Sequence, residues 1–177
     1  TEFRERCHEL ATSAGHVMEA DVANFYHSIR AHHVLNEEAM SGLSPRLSEA
    51  LRQLVGAFDV ERRGLPVGGD AARLLAEFAL FPVDAELASI GMVYARFVDD
   101  FRLFFHDTPS MNMHGFRFQE VLMRRGFFLN KSKLSTFKAR DFLEHESEKS
   151  GLQVQTKSGE TSVSTEHFDP YSELVHS

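Results

Sequence analysis

The sequence predicts an α+β domain, an antiparallel sheet packed on helices. Three stretches carry that prediction. Residues 16–22, HVMEADV, suit a short strand, and residues 70–89 are a long apolar run with a helical polar stripe. Residues 92–105 hold two segments of aromatic and branched residues, close enough to pair as a hairpin.

Taken in order, the first strand draws its apolar positions from Val17, Met18, Ala20 and Val22, and Asp21 falls at its end. Ser44 is placed as a helix N-cap with Pro45 at the first helical position. Leu47, Leu51, Leu54, Val55 and Phe58 then share one face of that helix. In RGLPVGGD, residues 63–70, Gly68-Gly69 permit backbone conformations closed to other residues. The loop opens a helix from Asp70 to Ser89, with Asp70, Arg73, Glu77 and Asp84 in one narrow polar stripe and a bend expected at Pro82. Residues 92–98 and 101–105 read as strands separated by Asp99-Asp100, which puts both carboxylates at the hairpin tip. Phe118, Val121, Leu122 and Arg125 mark one side of a further helix, ended by Gly126. FFLNKSKLSTF resumes as turn and strand. From His145 to about Glu166 the chain turns polar, so a loose segment is expected there, with a short helix at SELVHS. This order places the helices on one face of the sheet.

Composition narrows the function. The 177 residues are 42% hydrophobic with 16 Phe and no Trp, enough for a proper core. Cys7 is the single cysteine, which excludes an internal disulfide, and the 10 histidines show no spacing for a structural zinc. No apolar run is long enough for a bilayer and there is no signal-peptide layout, so a soluble, cytoplasmic protein with no membrane partner is expected. A net charge of −7 argues against an autonomous nucleic-acid binder. The first residue is Thr1 and not Met, so a piece of something longer or a processed form is expected.

The chemistry centres on Asp99-Asp100. Adjacent carboxylates repel, and burying either alone is costly. Arg96 and Arg102 are the near cations, but hard carboxylate oxygens also suit Mg²⁺. A third carboxylate is then wanted, and strand-end Asp21 is the natural one. The N–H groups of Val22 to Tyr26 would form a cradle for phosphate. Such a set can build a two-metal phosphoryl-transfer centre, with ions roughly 3.5–4 Å apart. Taken singly, each residue has a plainer reading: a turn for Asp99-Asp100, a helix cap for Asp21, core for Tyr26 and a surface lysine for Lys133.

ADVANFYHSI, RGLPVGGDAARLLAE, YARFVDDFRLF and GFFLNKSKL stand in the order, and at about the spacing, of palm motifs A to D of reverse transcriptases, over roughly residues 16–137. The chain most resembles the bacterial abortive-infection and antiphage-defence groups, where a glycine-rich motif B runs into a similar helix and R(F/Y)VDD forms the hairpin. The resemblance implies a polymerase palm over residues 1–144, with fingers largely absent, and a polar, mobile C-terminal segment with a short helix over 145–177. It implies an RNA-directed DNA polymerase that adds dNTPs to a 3′ end with two Mg²⁺ ions (Mn²⁺ as substitute), on an RNA template with a DNA or RNA primer, in bacterial antiphage defence. Asp21 and Asp99 would bind both ions, Asp100 would be a more peripheral ligand, and the Val22 carbonyl an additional one. Lys133 matches the motif D lysine beside the departing pyrophosphate. Val22, Ala23, Asn24, Phe25 and Tyr26, with Pro66, Val67 and Gly68, would meet the nucleotide, and Tyr26 matches the gate that rejects a 2′-hydroxyl.

Two departures stand out. Phe97 replaces the usual motif C tyrosine, and nothing before Asp21 supplies the basic strands of fingers, so further domains or subunits are expected to supply fingers and thumb. Two other readings stay open: a template-independent DNA polymerase of the abortive-infection type, and a non-catalytic palm fragment acting as scaffold or subunit. The GGD triplet at Gly68-Gly69-Asp70, found on a hairpin in cyclic-dinucleotide synthases, precedes a helix here and is discounted.

Overall fold

A computed structural model of the chain describes residues 2–156, with side chains through residue 148. Residues up to Glu144 make one compact unit. Its sheet has the order β2-β3-β1-β4, from β1 (His16–Asp21), β2 (Tyr94–Phe97), β3 (Asp100–Phe105) and β4 (Ser135–Lys138). All the pairings are antiparallel. The longer helices are α1 (Glu2–Thr12), α5 (Pro45–Ala57), α7 (Asp70–Ser89), α8 (Thr108–Arg124) and α9 (Ala139–Thr156). Short helical turns α2 (Phe25–Ser28), α3 (Ala31–Val34), α4 (Glu37–Ser41) and α6 (Val60–Arg63) join them.

Alternation along the strands builds two cores. Ala20, Phe101, Leu103 and Phe105 point to one face, where they meet Leu75, Leu80 and Val83 of α7 and Phe118, Val121 and Leu122 of α8. The Phe101 and Phe118 rings lie 5.0 Å apart, a contact worth about 0.5–1.5 kcal/mol beyond simple burial. Val17, Ala95 and Phe104 point the other way, against Cys7 and Ala11 of α1 and Ala139 and Phe142 of α9. Helices therefore cover both faces, not one as the sequence order predicts. The long apolar residues of the second core alternate with those of the first, so neither face is left to water.

Ser44 caps α5 by accepting the Leu47 N–H, and α7 spans the predicted residues and runs through Pro82 without ending. Leu47 is exposed, whereas Leu51 and Val55 are buried. Leu74 and Phe81 of α7 are also exposed, so that helix is less enclosed than its composition predicts. The hairpin tip is shifted by one residue. Phe97 pairs with Asp100, so the turn is Val98-Asp99 and Asp100 opens β3. Moving the turn to Asp99-Asp100 would pair Val98 with Phe101 and Arg96 with Leu103 and keep every side chain on its face, so alternation alone does not choose between the two turns. Val98 then carries φ 55, a left-handed backbone that branched residues adopt only under constraint. In the unit that begins at His145, residues to Thr156 are helical where a loose segment was expected. Glu, Lys, Leu and Gln there are good helix formers. The expected helix at SELVHS lies outside the described residues.

Candidate active site

The sheet ladder gathers the carboxylates. Asp21 closes β1 directly opposite Asp100 on β3, and the Val22 N–H donates to the Asp99 carbonyl at 3.3 Å. Asp21, 6% exposed, is the one buried carboxylate among the described residues. Its Oδ1 accepts from Asn130 Nδ2 at 3.2 Å, and its Oδ2 lies 3.0 Å from Lys133 Nζ. Both partners come from the turn before β4, where Asn130 caps the 3-10 turn Lys131–Lys133 and its N–H donates to the Asp21 carbonyl at 2.8 Å. The sequence reading has Lys133 but misses Asn130. Its signal is an Asn that can cap the KSK turn three residues before the lysine.

Asp99 and Asp100 are half-buried. Burial pushes the Asp99 carboxyl up to about 6, with the charges of Asp21 and Asp100 adding to the rise. Burial also raises Asp100, against the pull of Arg102. Asp21 in turn raises the Lys133 ammonium, chiefly through their hydrogen bond. Neither arginine beside the hairpin takes the place of a shared counter-ion. Arg102 pairs with Glu19 at 2.7 Å across the strands and sits over the Phe3 ring. Arg96 points to the opposite face, onto Glu77 and Asp84 of α7.

On the other side of Asp21 the chain turns into α2 through Asn24, whose φ is 49. The expected cradle of N–H groups is narrower than the sequence suggests. Val22 N–H is engaged by Asp99, and Ala23 N–H donates to the Phe128 carbonyl at 2.8 Å, because the chain extends the sheet to Val22 through a bridge to Leu129. Phe25 is core, stacked edge-on against Tyr26 and tilted against Phe127. Tyr26 is half-buried; burial raises its phenol first and the Asp99 charge second, which places the hydroxyl in the field of the hairpin. The Tyr26 carbonyl accepts the Leu65 N–H at 2.7 Å, so the glycine-rich loop is tied to this turn. Gly64 makes the approach possible: its φ is 74, and an added Cβ would sit 2.6 Å from the His27 Cα. Pro66, Val67, Gly68 and Gly69 lie exposed beyond it, at the start of α7.

The donor set fits a divalent metal in kind. Asp21, Asp99 and Asp100 offer hard oxygens, and Asp99 Oδ1 is buried without a hydrogen-bond partner. Among the described residues no three His, Cys, Asp or Glu side chains already close into a metal cluster, and Asp21 is turned onto Lys133 and Asn130. Also among the described residues, no helix is long and apolar enough to cross a membrane.

A helix-backed antiparallel sheet that brings a strand-end aspartate against an Asp-Asp hairpin is the palm of a nucleic-acid polymerase. Compared with known families, residues 1–155 match the reverse transcriptase (RNA-dependent DNA polymerase) family. The chain belongs to that family of nucleotidyltransferases, whose members act on nucleotides and nucleic-acid template and primer and generally use divalent metals. No curated protein matches the chain.

Proposed function

We propose that the chain is the palm of an RNA-directed DNA polymerase, with Asp21, Asp99 and Asp100 as its catalytic carboxylates. The observation that carries this reading is that Asp21, remote in sequence, faces Asp100 across one rung of the sheet, beside Asp99 with its unpartnered buried oxygen. Asp21 and Asp99 would hold two Mg²⁺ ions, or Mn²⁺, with Asp100 and the Val22 carbonyl as further ligands. Bound there, the metal would supply Lewis-acid activation of a primer 3′-hydroxyl and charge stabilisation on the leaving oxygen.

The chain's own groups do the rest. The Tyr26 ring lies under the sugar and excludes a 2′-hydroxyl, which selects dNTPs. The turn from Val22 to Phe25, with Pro66, Val67 and Gly68, borders the nucleotide. Lys133, on the rim and mostly exposed, is placed to release Asp21 and give a proton to the departing pyrophosphate. Among the described residues, those before Asp21 form α1 and β1, not basic strands, so further domains or subunits supply the fingers and thumb that grip an RNA template and its DNA or RNA primer. The net charge of −7 supports that division of labour. We assign residues 1–144 to the palm and residues 145–177 to a separate C-terminal segment, and place the protein in the cytoplasm, in bacterial antiphage defence, on the resemblance of its motifs to those groups.

Primer extension with dNTPs and Mg²⁺, comparing the protein with Asp99→Asn, tests the reading. Incorporation lost in the variant is the expected result, and equal incorporation would leave the chain a scaffold. Continued synthesis without template would favour an untemplated polymerase.

A further inference from the structure

Arg96 stands on the face of the hairpin turned away from the carboxylates, yet it ties the catalytic turn to α7. Its side chain is 11% exposed. Nε and Nη2 form a fork on Asp84, at 3.1 and 2.5 Å, and Nη1 and Nη2 reach Glu77 at 3.3 and 2.7 Å. Nη1 also donates to the Val98 carbonyl at 2.8 Å. The Tyr94 hydroxyl donates to Asp84 at 2.8 Å and fixes that carboxylate from the strand side. Glu77 and Asp84 belong to the helix that begins at the glycine-rich loop, so one guanidinium links that helix to the turn.

The turn needs such a link. A branched residue at φ 55 is strained and persists only where its surroundings over-determine it. Val98 is held by its buried side chain below and by the arginine on its carbonyl. The next residue is Asp99, whose Oδ1 has no partner. A planar fork can satisfy two carboxylates and a carbonyl at once, which a lysine ammonium on a flexible stem does not do in one geometry.

We propose that Arg96 is a positioning residue: by bridging Glu77 and Asp84 to the Val98 carbonyl it holds the left-handed turn and so aims the Asp99 carboxylate at the divalent ion. The proposal rests on the metal reading above.

Mn²⁺ binding to the whole chain, without nucleotide or nucleic acid, followed by electron paramagnetic resonance, separates the two. Arg96→Lys is expected to weaken Mn²⁺ by roughly 10- to 100-fold, as removal of outer-shell support does. Glu77→Gln, at a half-exposed partner that leaves the core intact, is expected to weaken it about threefold, the weight of one hydrogen bond. Val121→Ala, which destabilises α8 packing, leaves the affinity unchanged while the melting temperature falls. Wild-type affinity in both Arg96→Lys and Glu77→Gln, with binding lost in Asp99→Asn, would overturn the role of Arg96 and leave the metal centre standing. Equal binding by wild type and Asp99→Asn would remove the metal reading and this proposal with it. If Arg96→Lys loses its circular dichroism signal, the Glu77→Gln arm decides: unchanged affinity there overturns the proposal.

Discussion

Lys133 and Asp21, 112 positions apart, meet through Nζ and Oδ2 at 3.0 Å, so the chain carries its own cation on the buried carboxylate. The lysine is mostly exposed and the aspartate is buried. Lys133→Met is expected to lower the rate of single-nucleotide extension by roughly 100-fold, the usual weight of a general acid. The melting temperature should also fall by several degrees, because the buried Asp21 carboxylate then keeps only Asn130 as a partner. Extension kinetics and a thermal melt on one preparation check both. A large loss of stability with normal kinetics would reassign the lysine to folding.

Tyr26 offers a test of sugar selection. Removing its ring in Tyr26→Ala should raise ribonucleotide over deoxynucleotide incorporation by roughly 10- to 100-fold, the range one pocket contact commands. Tyr26→Phe, which keeps the ring, should leave the ratio unchanged. Competition between a ribonucleotide and its deoxy counterpart on one primer reads the ratio directly.

His33 gives a pH dependence away from Asp21, Asp99 and Asp100. Burial pushes its imidazole down to about 4, with His32 adding to the fall. Its Nδ1 accepts the Arg30 N–H at 2.8 Å, which requires the neutral ring. The folded value lies below the unfolded one, so the unfolded chain takes up the proton first. The stability contribution is therefore whole above the ordinary value near 6.5 and is lost as pH falls towards 4. Half-burial limits the loss to about 1 kcal/mol. Urea midpoints at pH 7.5 and pH 5 should differ more for wild type than for His33→Asn, whose amide oxygen can keep the Arg30 bond.

Gly64 is expected to tolerate no side chain. Gly64→Ala forces an unfavourable left-handed backbone and drives a methyl onto the His27 main chain. More than about 2 kcal/mol of stability should be lost, read as a fall of several degrees in melting temperature. Gly42→Ala meets nothing within 4 Å and serves as the matched control.

What the sequence discloses follows what is periodic or chemically singular. The bounds of α7 and the cap of α5 are written in local residue choice, and Gly126 ends α8 with φ 78. The three aspartates and Lys133 could be picked out because their order and spacing match a known set of motifs. The turn falls at Val98-Asp99, one position before the Asp-Asp pair, and the sequence does not disclose this, because both turns keep the same alternation of side chains and Asp is the commoner turn residue. Asn130 and the Arg96 fork were illegible for another reason. Their partners lie across the fold, and nothing in LNKSK or YARF says which side chain each will meet. The second core was missed because α1 is rich in charged residues and hides Cys7 and Ala11 among them.

The facing of Asp21 and Asp100 across one rung of adjacent strands has a consequence for endurance. Groups mounted on loops can drift apart while the rest of a protein stays intact. Here the pair is the last rung between the two central strands, so it parts only when the end of that ladder frays, and the amides further along β1 and β3 should exchange with deuterium more slowly than those at the rung itself. The geometry of this carboxylate pair is then as durable as the end of one ladder, and its loosening should be read in those amides before the whole fold opens.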